Sequence, residues 1–330
     1  MFAEDLRQIG SFQDFCVGEI RHAGEADLIA AIALHYSSRG QRGAGWFPTG
    51  SVRIYSTIAT YVSRIHGRLR TLVAEVRPAV PATLDTEKDD MQVNGVIGIA
   101  GVLGLLLLTG TGIALVRREA VSGRWLLVAS GLVLLNDMLL TNAYGLLPTF
   151  IAVSDYNWQG KLLALGATLV VASTPAFGWR DSGLTFRQES PGHAWVAMVS
   201  VLYAGIFLGL ALLLPNEPAS PEQIAFQLTM PGIEEETFYR GVLLVALFRA
   251  FPERKELLGV EWSWGAIVSC ALFGLAHAFG FRSRHFQFDP LTMLLTGGPS
   301  LIAVWLALRS RSVLLPILLH NFGNVIVLLV

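Results

Sequence analysis

From Asn94 onward the chain alternates between long apolar stretches and short polar ones. The stretches Asn94–Val116, Arg124–Leu147, Lys161–Phe177 and Ala194–Leu214 are each close to the roughly twenty residues that a membrane-spanning helix needs. Four more follow at Glu222–Phe251, Trp264–Phe281, Pro290–Leu308 and Ser312–Val330. The pattern predicts an all-α fold, a polytopic membrane helical bundle of about eight transmembrane helices. Residues 1–92 are mixed, carry scattered arginines and hold no apolar run of spanning length, so they are expected to form a non-membrane N-terminal extension. Within it, Ser51–Val76 reads as a short amphipathic helix and the acidic run Asp85–Asp90 as a linker. The expected division is therefore 1–92, accessory transmembrane helices over 93–190, and a C-terminal core over 191–330.

Composition strengthens the membrane reading. Hydrophobic residues make up 53% of the chain and charged ones 15%, against about 25% charged in an ordinary globular domain. A formal net charge of -1 gives no basic footprint for a nucleic-acid partner. The two cysteines, Cys16 and Cys270, form neither a disulfide framework nor a CxxC pattern. The first residues lack the basic start and apolar core of a signal peptide, so insertion is expected to rely on the first true transmembrane helix. Arginines and lysines follow the first, third, fifth and seventh apolar stretches, which places those alternate loops on the cytoplasmic side; Arg282 and Arg284 run against that pattern.

Ionisable side chains inside apolar helices carry the chemical signal, because each costs on the order of 3 kcal/mol at the bilayer centre. The fifth stretch holds Glu234, Glu235, Glu236 and Arg240, and a four-residue spacing puts Glu236 and Arg240 on one face as an ion pair. Glu235 lies about 100° further round, outside that pair, where it suits the role of a general base. His277 lies one turn after Phe273 in the sixth stretch, between small residues that permit close helix approach. His320 and Asn324 share a face of the eighth, with Gly323 beside them. Taken singly, the ion pair reads as structural and each histidine as a packing residue. Together, a carboxylate and two imidazoles on three helices supply a base, a proton-carrying partner and hydrogen-bond donors in one bundle interior. Asn136 and Asp137 in the second stretch read as interhelical contacts, Phe273 and Phe279 as packing, His285 as an interfacial loop residue, and Trp262 with Trp264 as an aromatic belt.

These three stretches resemble the CPBP family of intramembrane endopeptidases, which includes the type II CAAX prenyl proteases and bacteriocin-processing or self-immunity proteins. Glu235-Glu236-Thr237-Phe238-Tyr239-Arg240 is similar to its EExxxR motif, Phe273 to His277 to FxxxH, and His320 to Asn324 to HxxxN, over roughly Ala194 to Val330. The resemblance implies that Glu235 and His277 activate the attacking water without a covalent intermediate, while His320 and Asn324 stabilise the oxyanion. Glu236, Arg240 and Phe273 are then structural or substrate-positioning, and Glu234 is an extra acid turned away from the working face. No cofactor is implied. A glutamate and two histidines are also a possible zinc set, but HExxH is missing and the resemblance favours direct glutamate catalysis, so no metal is expected. The implied partners are a peptide or membrane-protein substrate and the lipid bilayer, and the implied location is multi-pass in the cell membrane of a prokaryote. A non-catalytic immunity or scaffold protein of the same fold, or a proton-coupled transporter, is the competing reading.

Overall fold

The computed structural model describes residues 84–117, 120–151, 154–189, 193–213 and 218–330. Most of the extension expected over 1–92, including the amphipathic helix at Ser51–Val76, lies outside them. The described residues from Asp90 onward belong to one compact unit. Its helices are α1 (Leu84–Arg117), α2 (Gly123–Leu140), α3 (Trp158–Ala172), α4 (His193–Leu213), α5 (Pro221–Glu236), α6 (Leu243–Ala250), α7 (Trp264–Ala278), α8 (Pro290–Ser310) and α9 (Leu314–Leu329). A π-helical turn, Thr237–Val242, joins α5 to α6, so eight continuous helical stretches correspond to the eight apolar ones.

Among the described residues, four stretches are long and apolar enough to cross a membrane, namely Gln92–Val116, Gly123–Leu140, Ala194–Leu213 and Pro290–Ser310; α3, α7 and α9 are shorter apolar helices. The outer surface fits a lipid solvent: Leu108, Val201 and Leu294 are 71%, 72% and 67% exposed, a state that water would penalise. The described residues form a mostly helical membrane bundle without a closed sheet.

Three local expectations change. The acidic run Asp85–Asp90 is the start of α1 rather than a linker; Glu87, Lys88 and Met91 are good helix formers that continue directly into the apolar stretch. The second apolar stretch stops at Leu140, short of Leu147, because Asn142, Ala143 and Tyr144 turn left-handed with φ of 50°, 49° and 57°. Thr141 secures this turn by accepting from the Tyr144 amide, and the Tyr144 hydroxyl bonds Asp137, which thereby also holds the turn.

The sixth apolar stretch ends at Ala278, where β3 (Phe279–Arg282) pairs antiparallel with β4 (His285–Phe288). Aromatic residues at alternate positions favour a strand, and Ser283 and Arg284, with φ of 52° and 66°, make the kind of two-residue turn that suits a hairpin. His285 is thus a strand residue. A second hairpin, β1 (Lys255–Leu257) with β2 (Val260–Trp262), links α6 to α7. Asp289 then caps α8, and the Thr292 hydroxyl, 2.6 Å away, together with the Leu291 and Thr292 amides holds the Asp289 carboxyl below the usual carboxylate range.

The loops after α1, α3, α6 and α8 meet at one end. The Ser122 amide donates to Ala250 (2.9 Å), Val313 to Gly183 (3.0 Å) and Glu189 to Ser310 (2.9 Å), while Arg249 reaches the Ala176 carbonyl. Arg180, Arg187, Arg249, Arg309 and Arg311 gather there.

Helices α5 and α9 approach each other closely. A Cβ on Gly232 would lie 2.7 Å from the Ile317 carbonyl and would also collide with Asn321 Oδ1. Pro231 interrupts the α5 hydrogen-bond ladder here. Asn321 repairs it, accepting from the Gly232 amide at 2.7 Å and donating to the Thr229 carbonyl at 3.2 Å. Gly232→Ala is expected to push α9 away from α5 and lower stability by about 1–3 kcal/mol, read as the unfolding midpoint of the detergent-solubilised protein; an unchanged midpoint would show that the contact is not tight.

Candidate active site

The C-terminal end of α5 carries three consecutive acids, and each is buried: Glu234, Glu235 and Glu236 are 0%, 5% and 1% exposed. Buried carboxylates are tolerated only with partners, and the partners come from five other elements. Glu236 Oε2 pairs with Arg240 Nε at 3.1 Å, the four-residue pair expected from spacing. Its Oε1 lies 2.7 Å from His320 Nδ1 on α9. Arg240, within the π-helical turn, donates to the Ser300 hydroxyl on α8 at 2.7 Å and stacks 4.2 Å from the centroid of Phe273 on α7. The Phe273 ring also abuts His277 (4.7 Å) and meets His320 edge-on (6.0 Å).

π-helical turns cluster at functional sites because one extra residue per turn re-aims the side chains around it. Ser269 on α7 donates to the Tyr239 carbonyl of this turn at 2.9 Å, fixing it against its neighbour. Gly274 allows α7 to lie against α8, since a Cβ there would be 3.3 Å from the Gly297 Cα.

Glu235 stands at the centre. Its Oε2 is 3.9 Å from His277 Nε2 and 3.9 Å from His320 Nε2, too long for a direct hydrogen bond and a separation that one water molecule can bridge. His277 Nδ1 faces the Phe273 carbonyl at 2.8 Å. A carbonyl only accepts, so Nδ1 carries hydrogen and the Nε2 of a neutral ring presents its lone pair toward Glu235. On His320, Nδ1 donates to an ionised Glu236, and Nε2 can donate as well when the ring carries both protons.

The fold therefore gathers Glu235, His277, His320, Glu236, Arg240 and Phe273 from α5, the π-helical turn, α7 and α9. Asn324 is half-buried one turn beyond His320 and makes no side-chain hydrogen bond to them. Asn321, beside His320, is the amide that ties α9 to α5. Glu234 shares a partner with Glu235 on the side away from the histidines' contacts: Lys161 on α3 lies 2.8 Å from Glu234 Oε2 and 2.6 Å from Glu235 Oε1.

Lys161 was not among the residues singled out from sequence. It is the one charged residue of an otherwise apolar helix, and the cost argument applied to buried acids applies to it equally. Asn136 on α2, buried and close enough to Glu234 to interact with it, was assigned only as an interhelical contact. Ser300 gave no signal, because a lone serine in an apolar helix most often bonds its own backbone.

Comparison with protein families bears on the C-terminal part, which holds most of these residues. Residues 218–326 match the type II CAAX prenyl endopeptidase Rce1-like family. No curated protein and no solved structure matches the chain. The Rce1-like segment covers about a third of the chain and contains α5 through most of α9, hence Glu235, His277 and His320. The match likens this part of the chain to CAAX-type membrane proteases. Lys161 and Asn136 lie outside it.

Proposed function

We propose that the protein is an intramembrane endopeptidase in which Glu235 and His277 activate a water molecule for direct attack on a peptide bond. The observation that carries this reading is the placing of both imidazole Nε2 atoms at 3.9 Å from a single carboxylate oxygen of Glu235. Water held there gives a proton to Glu235 as its oxygen bonds the scissile carbonyl carbon. The resulting oxyanion accepts from His320 Nε2, with Asn324, on the same face of α9, able to add an amide donor. Collapse of the tetrahedral species breaks the C–N bond, and the leaving amine takes the proton from Glu235. No bond to the enzyme forms. Glu236, Arg240, Phe273 and Ser300 hold His320 in place. The three carboxylates share the site with the Lys161 ammonium, the Arg240 guanidinium and the His320 imidazole. The Lys161 ammonium against Glu235 repels a divalent cation, which supports water activation without a metal.

The matched family points to prenylated CAAX-type substrates. The test is cleavage by the full-length protein, reconstituted in lipid vesicles, of an internally quenched farnesylated peptide ending in a CAAX sequence and of its unprenylated counterpart. Saturable cleavage of at least one peptide, insensitive to a chelator, is the expected result. Proton-coupled flux without cleavage of either would instead favour the relay reading, and cleavage abolished by chelation and restored by zinc would overturn the metal-free mechanism.

A further inference from the structure

We propose that Lys161 is a positioning residue of this site, supplied by a helix outside the Rce1-like segment, and that it sets which oxygen of Glu235 faces the two histidines. The proposal rests on the reading of Glu235 as the base. A carboxylate has two oxygens and can rotate about its last bond. Here Oε1 is held 2.6 Å from the Lys161 ammonium, and it is Oε2 that faces His277 and His320. An ammonium has three donors on a flexible stem, so it orients a neighbour only if it is itself fixed.

Two features fix it. Glu234 takes a second donor at 2.8 Å, and the first turn of α3 is pinned to the end of α2. Asn157 accepts from the Gly160 amide at 3.0 Å and donates to the Leu140 carbonyl at 2.8 Å. A Cβ on Gly160 would collide with that same carbonyl, so α3 starts in contact with α2. Lys161 is 7% exposed, and its ion pairs face little competition from water. Helices α2 and α3 are thus part of the site and not only a membrane anchor for it.

A simple strut between α3 and α5 is the rival explanation, and it makes a different forecast: a strut is weakened by neutralising either acid, whereas orientation of Glu235 depends on the lysine, which the amide oxygen of Glu234→Gln still accepts from and helps to hold. The full-length protein, as wild type, Lys161→Met, Glu234→Gln and Glu235→Gln, is assayed in vesicles with the quenched farnesylated peptide. Unfolding midpoints in detergent are measured for these and for the Lys161→Met/Glu235→Gln pair. Lys161→Met is expected to lower kcat about a hundredfold with KM changed less than about threefold, and Glu234→Gln to lower kcat by less than about tenfold. Lys161→Met should also destabilise the Glu235→Gln protein less than the wild type.

A Lys161→Met kcat within about threefold of wild type, or a Glu234→Gln loss as large as that of Lys161→Met, overturns the proposal. Undiminished cleavage by Glu235→Gln overturns the reading of Glu235 as the base and leaves the Lys161 contact standing as a structural one. Should the peptide resist cleavage by every form, the midpoints decide, and strictly additive destabilisation overturns the proposal.

Discussion

Glu235→Gln is expected to slow peptide cleavage roughly a thousandfold while the protein still inserts and folds. The amide has nearly the shape of the carboxylate it replaces, so α5, the π-helical turn and the histidines have no steric reason to move. What disappears is the proton acceptor. Glutamine cannot take a proton from water, and His277 alone, with Nδ1 committed to the Phe273 carbonyl, offers a single lone pair that lacks the charge to stabilise the transfer. Lys161 would retain Glu234 as its counter-ion, so the stability loss is smaller than for deletion of the lysine. Mass analysis of peptide recovered from vesicles reads the result. Cleavage at the wild-type rate would remove Glu235 from the chemistry.

Arg240→Met should have the largest effect on stability, about 3–5 kcal/mol, because it leaves the buried Glu236 carboxylate without its cation. The side chains of Arg240 and Glu236 are 1% and 2% exposed, so water cannot take over as counter-partner. The guanidinium also donates to Ser300 and stacks on Phe273, which joins α8 and α7 to the π-helical turn. Methionine fills part of the volume and none of the donors. The expected readout is a large drop in the unfolding midpoint together with loss of cleavage, since His320 is held through Glu236. Arg180→Met, which breaks an exposed pair with Glu189, should change stability by less than about 1 kcal/mol. If the two variants behaved alike, the pair at the centre would be no more than a surface-like contact.

The sequence carried the helical stretches because a bilayer leaves few alternatives: each backbone polar group must be satisfied within the segment, so apolar length translates directly into helix. It carried Glu235, His277 and His320 because buried ionisable groups are costly and therefore conspicuous. The hairpins after α6 and α7 were hidden by their shortness, and Phe279–Phe281 in particular continues an apolar run whose period changes only over four residues. The π-helical turn has no periodicity of its own and depends on tertiary partners such as Ser269 and Ser300. Lys161 sat at the edge of its apolar stretch, where a lysine ordinarily snorkels to the interface; its inward course is visible only once α3 is packed against α5. Asn321, one residue from the motif histidine, was eclipsed by Asn324, and its role derives from Pro231 on another helix.

The most direct test that one carboxylate and one imidazole act on a single water is the kcat of Glu235→Gln, His277→Ala and the double variant, measured on the same peptide in the same vesicles. Groups that serve one transition state fail together, so the double variant should be no slower than the slower of the two singles. Losses that multiply would mean that Glu235 and His277 work independently, and that a shared water between them is wrong.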